Sequence, residues 1–373
     1  MNNQLSKLSV KQALRVRPFL IGAVSVMLLV AGCATQAPKK ADETPELLWP
    51  KPPEQAVIRY VGQVTDIEKL AVKERPGFRD LLAGKEPEAT ARTLNKPYGV
   101  HGDDRGRLFV TDTALGTLVV FDTAADTVER WGETGLGALT KPIGVTSDKD
   151  GQIYVCDVQD KRVVIFDPDG KYVNAFGGPE VFDNPAAIAI NDQLKQIYVV
   201  DSKKHKVIVF DMQGNQLSSF GGKGNLKGYF MYPGGIAIGP DGRLFISDSM
   251  NFRVQILEAD GTYIKHFGEV GQRIGDFSRP KGIALDRDGH VYVVDAAFNN
   301  FQIFDEDGNL LLFVGEAGFG PGQFHLPAGM AIDHRGRIYI SDQINHRVQI
   351  FEYLGEPTME PEPEGKSISG TNG

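Results

Sequence analysis

Six aspartates stand at corresponding points of the chain: Asp112, Asp157, Asp201, Asp248, Asp295 and Asp342, each closing a run such as RLFVTD, IYVCD or LFISD. A ring of carboxylates could serve acid–base chemistry or hold a cation. Each Asp, however, directly precedes a short turn, where its side chain can accept backbone N–H bonds. Six equivalent copies also argue for a repeated structural part rather than one catalytic pair. A second acidic series includes Asp167-Pro168-Asp169-Gly170 and Asp305-Glu306-Asp307-Gly308. These resemble calcium loops in their spacing, but no Glu stands where a twelve-residue loop takes its last ligand, and Asp-Gly is what a tight hairpin requires. The seven histidines are scattered. His205 and His346 fall on opposite sides of the ring inferred below, so one zinc ion, with bonds of about 2 Å, cannot take both. His325 and His346 share a side, but two imidazoles without a carboxylate make a weak site, and His101 is expected to be hydrogen-bonded structure. No Ser-His-Asp or Cys-His arrangement can be placed. Gly221-Gly222-Lys223-Gly224 does not open a helix as a phosphate loop would. No metal or other cofactor is expected.

The elements that hold these residues are repeats. KPYGVHGDDRGRLFVTD, KPIGVTSDKDGQIYVCD, NPAAIAINDQLKQIYVVD, YPGGIAIGPDGRLFISD, RPKGIALDRDGHVYVVD and LPAGMAIDHRGRIYISD align on Pro97, Pro142, Pro185, Pro233, Pro280 and Pro327. A run such as RVVIFD or KVIVFD follows each segment, then an Asp-Gly turn, then in most repeats a run ending in Phe-Gly. Four short apolar runs split by turn residues make a four-stranded blade. The segments Asn251-Phe252-Arg253-Val254-Gln255-Ile256 and Asn345-His346-Arg347-Val348-Gln349-Ile350, with the P-x-G-I-A and D-G-R starts, resemble the NHL repeat over about 97–355. The fold class expected is all-β, a six-bladed β-propeller of four-stranded NHL-type blades. The sixth repeat stops after its third strand, and 57–62 (VIRYVG) matches the missing fourth, as in YIKHFG. The ring is therefore expected to close on an N-terminal strand, which hides an exposed sheet edge. Residues 63–95 would be a linker with one short helix around Phe78–Leu82.

Counting strands a to d from the axis outward, the d-to-a and b-to-c connections share one face, the top. Its loops carry apolar and aromatic groups, including Leu136, Phe182, Tyr229, Phe230, Ile274, Phe277, Phe319 and Phe324. Bases accompany them, among them Lys203, Lys204, Lys206, Arg253, Arg273 and Arg279. Aromatics beside Arg and Lys suit a protein, peptide or glycan partner, while recurrence in every repeat predicts that half of these rings pack between blades. The expected contacts at the axial mouth of the top face are Tyr98, Tyr232, Arg273, Lys281, Phe319 and His325. Tyr98 and Lys281 are the large polar-tipped groups directly after a strand-a Pro. The resemblance extends to the peptide amidating lyases, in which histidines at that position converge on a metal. Here the position holds Tyr98, Ile143, Ala186, Gly234, Lys281 and Ala328, so that triad is missing. The Glu, Asn and Asp set of lactonase-like propellers has no counterpart at Gly144, Ala187, Gly235, Gly282 or Gly329. The functional expectation is a non-catalytic binding platform. The alternative is a propeller lyase or hydrolase with a metal or substrate site in the central channel, and the sequence leaves catalysis open.

The N-terminal segment reads as an address. Lys7, Lys11, Arg15 and Arg17 precede an apolar run from Phe19 to Val30 that ends at Ala31-Gly32-Cys33. A basic region, a short apolar core and small residues before a cut describe a signal peptide, here 1–32, too short to span a bilayer. Leu29 to Cys33 resembles the bacterial lipobox, which implies lipidation (palmitate included) of Cys33 and a lipid anchor at the cell envelope. Ala34 after the Cys favours the outer membrane. Residues 33–53 read as a tether, 54–355 as the propeller and 356–373 as a disordered tail. The formal charge is −8, and removing the four bases of the signal segment makes it −12. An acidic body at the envelope speaks against a nucleic-acid partner, although NHL propellers elsewhere bind RNA. Two cysteines exclude a disulfide scaffold, and Cys156 is expected as a buried small hydrophobe in a monomer.

Overall fold

The computed structural model describes residues 46–65, 94–125 and 127–355. Six antiparallel sheets follow one another around an axis. The first blade shows the plan: Pro97–Gly102, Arg107–Asp112, Thr117–Asp122 and Thr127–Trp131 pair in chain order. Each middle strand is apolar on both faces because both face a neighbouring blade, and Arg107–Asp112 is buried along its whole length. The outer strands alternate or lie open, as in Tyr172–Gly177. The core is accordingly split into six clusters, most of them spanning two blades. No α-helix occurs among the described residues; one turn of 3-10 helix covers Ser249–Asn251.

The chain is a six-bladed propeller closed as the sequence implies. In the last sheet Pro327–Ile332, Arg337–Asp342 and Arg347–Tyr353 are joined by Ile58–Val64, which runs antiparallel to Arg347–Tyr353. Leu354 N–H donates to Val57 O at 2.8 Å, and Arg347 donates to Gln63 Oε1 at 2.9 Å. Arg59 and Glu352 form an ion pair across the seam. Ile58, with no exposed surface, enters a cluster with Phe301, Phe324 and Phe351.

Two boundaries differ from the expectation. The closing strand runs on to Val64, beyond 62. Leu48–Trp49, inside the stretch expected to be a tether, adds a short fifth strand to the same sheet. The cause is Trp49, whose ring meets Phe351 edge-on at 5.7 Å. The signal segment 1–32, Cys33, the helix around 78–82 and the tail 356–373 lie outside the described residues. Cys156 is fully buried, and burial raises its thiol pKa.

Candidate functional site: the channel mouth

The six strands a surround the axis. Their inner residues are small because the next blade's backbone comes very close. A Cβ on Gly99 would sit 2.0 Å from Ile143 O, and one on Gly329 2.2 Å from Tyr98 O. Hydroxyls knit the same seam: Thr111 donates to Ile143 O at 2.7 Å, and Ser341 Oγ to Tyr98 O. The throat left over is narrow, about 80 Å³, and Tyr98 and Lys281 are its sole ionisable lining residues among those described.

Above the throat the channel widens into a funnel of about 530 Å³. The residues on either side of the strand-a Pro in blades 1 to 5 line much of it. Tyr98, Ile143, Ala186, Gly234 and Lys281 come from the position after, and Lys96, Lys141, Asn184, Tyr232 and Arg279 from the position before. Thr113, Val158, Ser202, Ser249, Met250 and Gln343 from the b-to-c turns complete the wall. Lys281 Nζ lies 5.1 Å from the centre of the Tyr98 ring. The lysine of blade 5 therefore reaches past blade 6, where the matching residue is the buried Ala328, to blade 1. A cation over a ring face is attractive. Burial lowers the Lys281 pKa to about 8, and the nearby charges of Arg279 and Lys96 push the same way. Burial raises the Tyr98 phenol, with Arg279 opposing.

Tyr232 sits half-exposed with a positive φ of 51°. Its N–H donates to His205 Nδ1 at 2.9 Å, and the two rings meet edge-on at 4.5 Å. An Nδ1 that accepts leaves the ring proton on Nε2. Burial, followed by Lys223, lowers the His205 pKa.

Three residues expected at the mouth are elsewhere. Arg273 does not line the funnel; it is 77% exposed in the blade 4–5 loop and bonds Glu269 at 2.7 Å and Asp276 at 3.2 Å. Its place in the middle of the loop, well before Pro280, carries it outward, whereas Tyr232 of the preceding loop directly precedes its Pro. Phe319 and His325 also lie outside the funnel lining, ring edge to ring face at 5.6 Å in the blade 5–6 loop. Phe319 is 73% exposed. Tyr98, Tyr232 and Lys281 are brought together; Lys96, Lys141 and the placement of Arg279 were not anticipated. Their signal was available, since all three directly precede a strand-a Pro.

The other loop aromatics divide as expected. Phe182, Phe230, Phe277 and Phe324 are fully buried, while Leu136, Tyr229 and Ile274 are open. The buried rings rest on glycines whose φ is positive: a Cβ at Gly268 (φ 90°) would lie 2.4 Å from the Phe277 ring. Arg253 is buried on Asp248, and Lys204 Nζ donates to Val181 O at 2.7 Å, so neither is a free surface charge.

The six repeated aspartates lie beneath the mouth, all without exposed surface. Asp295 accepts the N–H groups of Ser278, Arg279, Ala297 and Phe298 at 2.7–3.1 Å. It thereby staples the start of strand a to the turn after strand b. Asp112, Asp157 and Asp201 do the same. In blades 4 and 6 the NHL-type residues of strand c take over part of that work. Asp248 bonds Arg253, Gln255 and Asn251 at 2.8–3.0 Å, and Arg253 and Gln255 also donate to the Tyr229 carbonyl. Asp342 repeats the set with Asn345, Arg347 and Gln349. On the bottom, Asp286, Asp288 and His290 bring potential ligand atoms within 4.8 Å of one another. Asp286 there accepts the N–H groups of residues 288 and 290 and the Tyr292 hydroxyl. Asp148 and Asp333 make the same turn with Gln152 and Arg337 at the position of His290, so the pattern belongs to the turn.

Comparison with known proteins agrees with this architecture. The DUF5128 family of 6-bladed beta-propellers matches residues 133–220 and 285–360, and the NHL repeat matches 230–257. No curated protein sequence matches the chain. Among solved structures, virginiamycin B lyase from Staphylococcus aureus superimposes with a TM-score of 0.52 at 15% identity, over 70% of this chain and 96% of the lyase. A gluconolactonase from Xanthomonas campestris gives 0.54 at 15% identity, over 70% and 86%. An auxiliary nutrient binding protein from Bacteroides thetaiotaomicron gives 0.56 at 13% identity, over 71% and 70%. At these identities the likeness is one of fold.

Proposed function

The chain is a six-bladed β-propeller carrying NHL repeats, and from that premise we propose that it is a non-catalytic binding platform, anchored at the cell envelope through Cys33. The partner, a protein, peptide or glycan, engages the top face at the channel mouth. The lipobox-like Leu29 to Cys33 and the residue Ala34 support outer-membrane anchoring. The observation that carries the platform reading is the funnel of about 530 Å³, in which Tyr98, Tyr232 and Lys281 converge. Large aromatic and cationic groups at one concave surface are the residues that dominate recognition. Among the described lining residues there is no Asp, Glu or His to act beside Lys281 as an acid or base. The aspartates below are occupied by backbone and side-chain donors. The auxiliary nutrient binding protein among the fold neighbours shows that this architecture can serve binding.

A second reading, a lyase or hydrolase working in the channel, draws on Lys281, since a lowered pKa is a property of reactive amines. The lyase and the gluconolactonase among the neighbours show that the architecture also carries catalysis. The experiment is a photo-crosslinking residue placed at Tyr232, compared in cells of the host with one at Asp169 on the bottom. A discrete adduct from the mouth and none from the bottom is expected. Equal labelling from both, or none, refutes the platform. Metal analysis of the purified chain addresses the second reading, which gains if a stoichiometric metal is found and is lost on Lys281→Gln.

A further inference from the structure

We propose that the mouth takes its ligand through an anionic group, a carboxylate or a phosphate, held among Lys96, Lys141, Arg279 and Lys281. The inference rests on the platform reading and names the chemistry of what the platform holds.

The first observation is composition. Four cations line one funnel whose described lining contains no Asp or Glu. This occurs in a chain of net charge −8, so the mouth runs against the charge of the body. The second is pairing. Three buried arginines are tied down, Arg107 to Asp103, Arg253 to Asp248 and Arg347 to Asp342, all at 2.8–2.9 Å, whereas the mouth sets a half-buried Lys281 beside the exposed Lys96, Lys141 and Arg279. None of the four mouth cations makes an ion pair or a side-chain hydrogen bond among the described residues. Among the described residues, the one cation–π contact of their side chains is that of Lys281 with the Tyr98 ring. The third is mutual strain. Arg279 and Lys96 both act to discharge Lys281. Like charges gathered at one funnel with no counter-charge in its lining are unfavourable, most of all for the half-buried Lys281, and an anion seated among them reduces that penalty.

The arrangement also describes the rest of the ligand. The cations come from blades 1, 2 and 5. The wall from blades 3 and 4 is neutral, made by Asn184, Ser202, Tyr232, Ser249 and Met250. A ligand with an anionic end and an uncharged, partly polar body fits this division. The funnel volume is within the usual range for small-ligand sites of about 300–1,000 Å³. A long polyanion would meet the acidic body outside the mouth.

The test is calorimetric titration of the purified full-length protein with pyrophosphate and with citrate, the two probes separating phosphate from carboxylate preference. Saturable binding of one anion per chain is expected, weakening as salt is raised. The double variant Lys281→Gln with Arg279→Gln is expected to lose at least about tenfold in affinity while melting at the wild-type temperature. With citrate, whose charge is constant over this interval, raising the pH from about 7 to about 9 weakens binding to the wild type as Lys281 loses its proton, and Lys281→Arg removes that dependence. Absence of saturable binding by both probes, or an unchanged affinity in the folded double variant, overturns the proposal. A Tyr232 adduct that persists in the double variant also overturns it, while leaving the platform standing. Loss of the adduct from the double variant, with anion binding lost alongside, supports it.

Discussion

The two layers at the top of this propeller lie one turn apart and are built in opposite ways. The lower layer is the ring of six aspartates, identical in every blade, fully buried and saturated with donors. The upper layer is the mouth, where the residues before each strand-a Pro are Lys96, Lys141, Asn184, Tyr232, Arg279 and Leu326, different in nearly every blade. Its charges make no ion pair among the described residues. Within one chain of repeats, positions that recur are those each blade needs in order to fold. Positions free to vary are those a single asymmetric ligand would need. The difference between the layers is thus a difference between structure and recognition, visible without any second sequence.

The sharpest way to break this contrast is to exchange the expected effects of the two layers. Asp248→Ala strands Arg253, Gln255 and Asn251 around a lost buried carboxylate, and a loss of about 3–5 kcal/mol is expected in denaturant unfolding. An unchanged midpoint would show the lower layer to be dispensable. Ile58→Ala, at the ring seam, should cost about 3 kcal/mol in the same measurement, since a fully buried side chain leaves a cavity.

His101 tests the seam between blades 1 and 2 by pH. Its Nε2 bonds Ser147 Oγ at 2.7 Å, and burial lowers its pKa to about 4. Above pH 6.5 the ring is neutral folded or unfolded and contributes nothing to the pH dependence. Between about 6.5 and about 4 the unfolded chain takes the proton and the folded chain does not, so stability falls, on the order of 3 kcal/mol in total. His101→Gln should flatten that part of the unfolding profile.

The upper layer should behave in the reverse sense. Lys281→Gln removes a desolvated, unpaired charge together with a cation–π contact, and stability should stay within about 1 kcal/mol while mouth binding is lost. Phe319→Ala, in an exposed loop outside the funnel, should change melting by no more than about 0.5 kcal/mol.

The architecture was legible because repetition multiplies a weak signal. Six copies of Pro, small residue, apolar run and Asp fixed the blades, and the incomplete sixth repeat pointed to 57–62 as its missing strand. Leu48–Trp49 could not be read this way. Two residues carry no periodicity, and only the contact of Trp49 with Phe351 shows why they pair. The mouth was half legible. Position relative to Pro brought Tyr98 and Lys281 to the funnel, because each strand-a Pro pairs with the repeated Asp at the same point of its blade. Arg273 and Phe319 stand well before their Pro in the loop, where the chain can carry a side chain outward to pair locally or to stand in solvent, whereas Tyr232 directly precedes Pro233. Lys96 and Lys141 carry no signal by type, since a lysine before a proline is ordinary until the ring brings it to the funnel that Lys281 also lines.

The central claim is that the mouth binds and the layer beneath it holds the fold. It is tested most directly by comparing Lys281→Gln and Asp248→Ala in one experiment that records both melting temperature and crosslinking from Tyr232. The account predicts that Lys281→Gln melts with the wild type and loses the adduct, while Asp248→Ala melts far lower and keeps the adduct below its transition. A Lys281→Gln protein that unfolds early, or that keeps the full adduct, would contradict it.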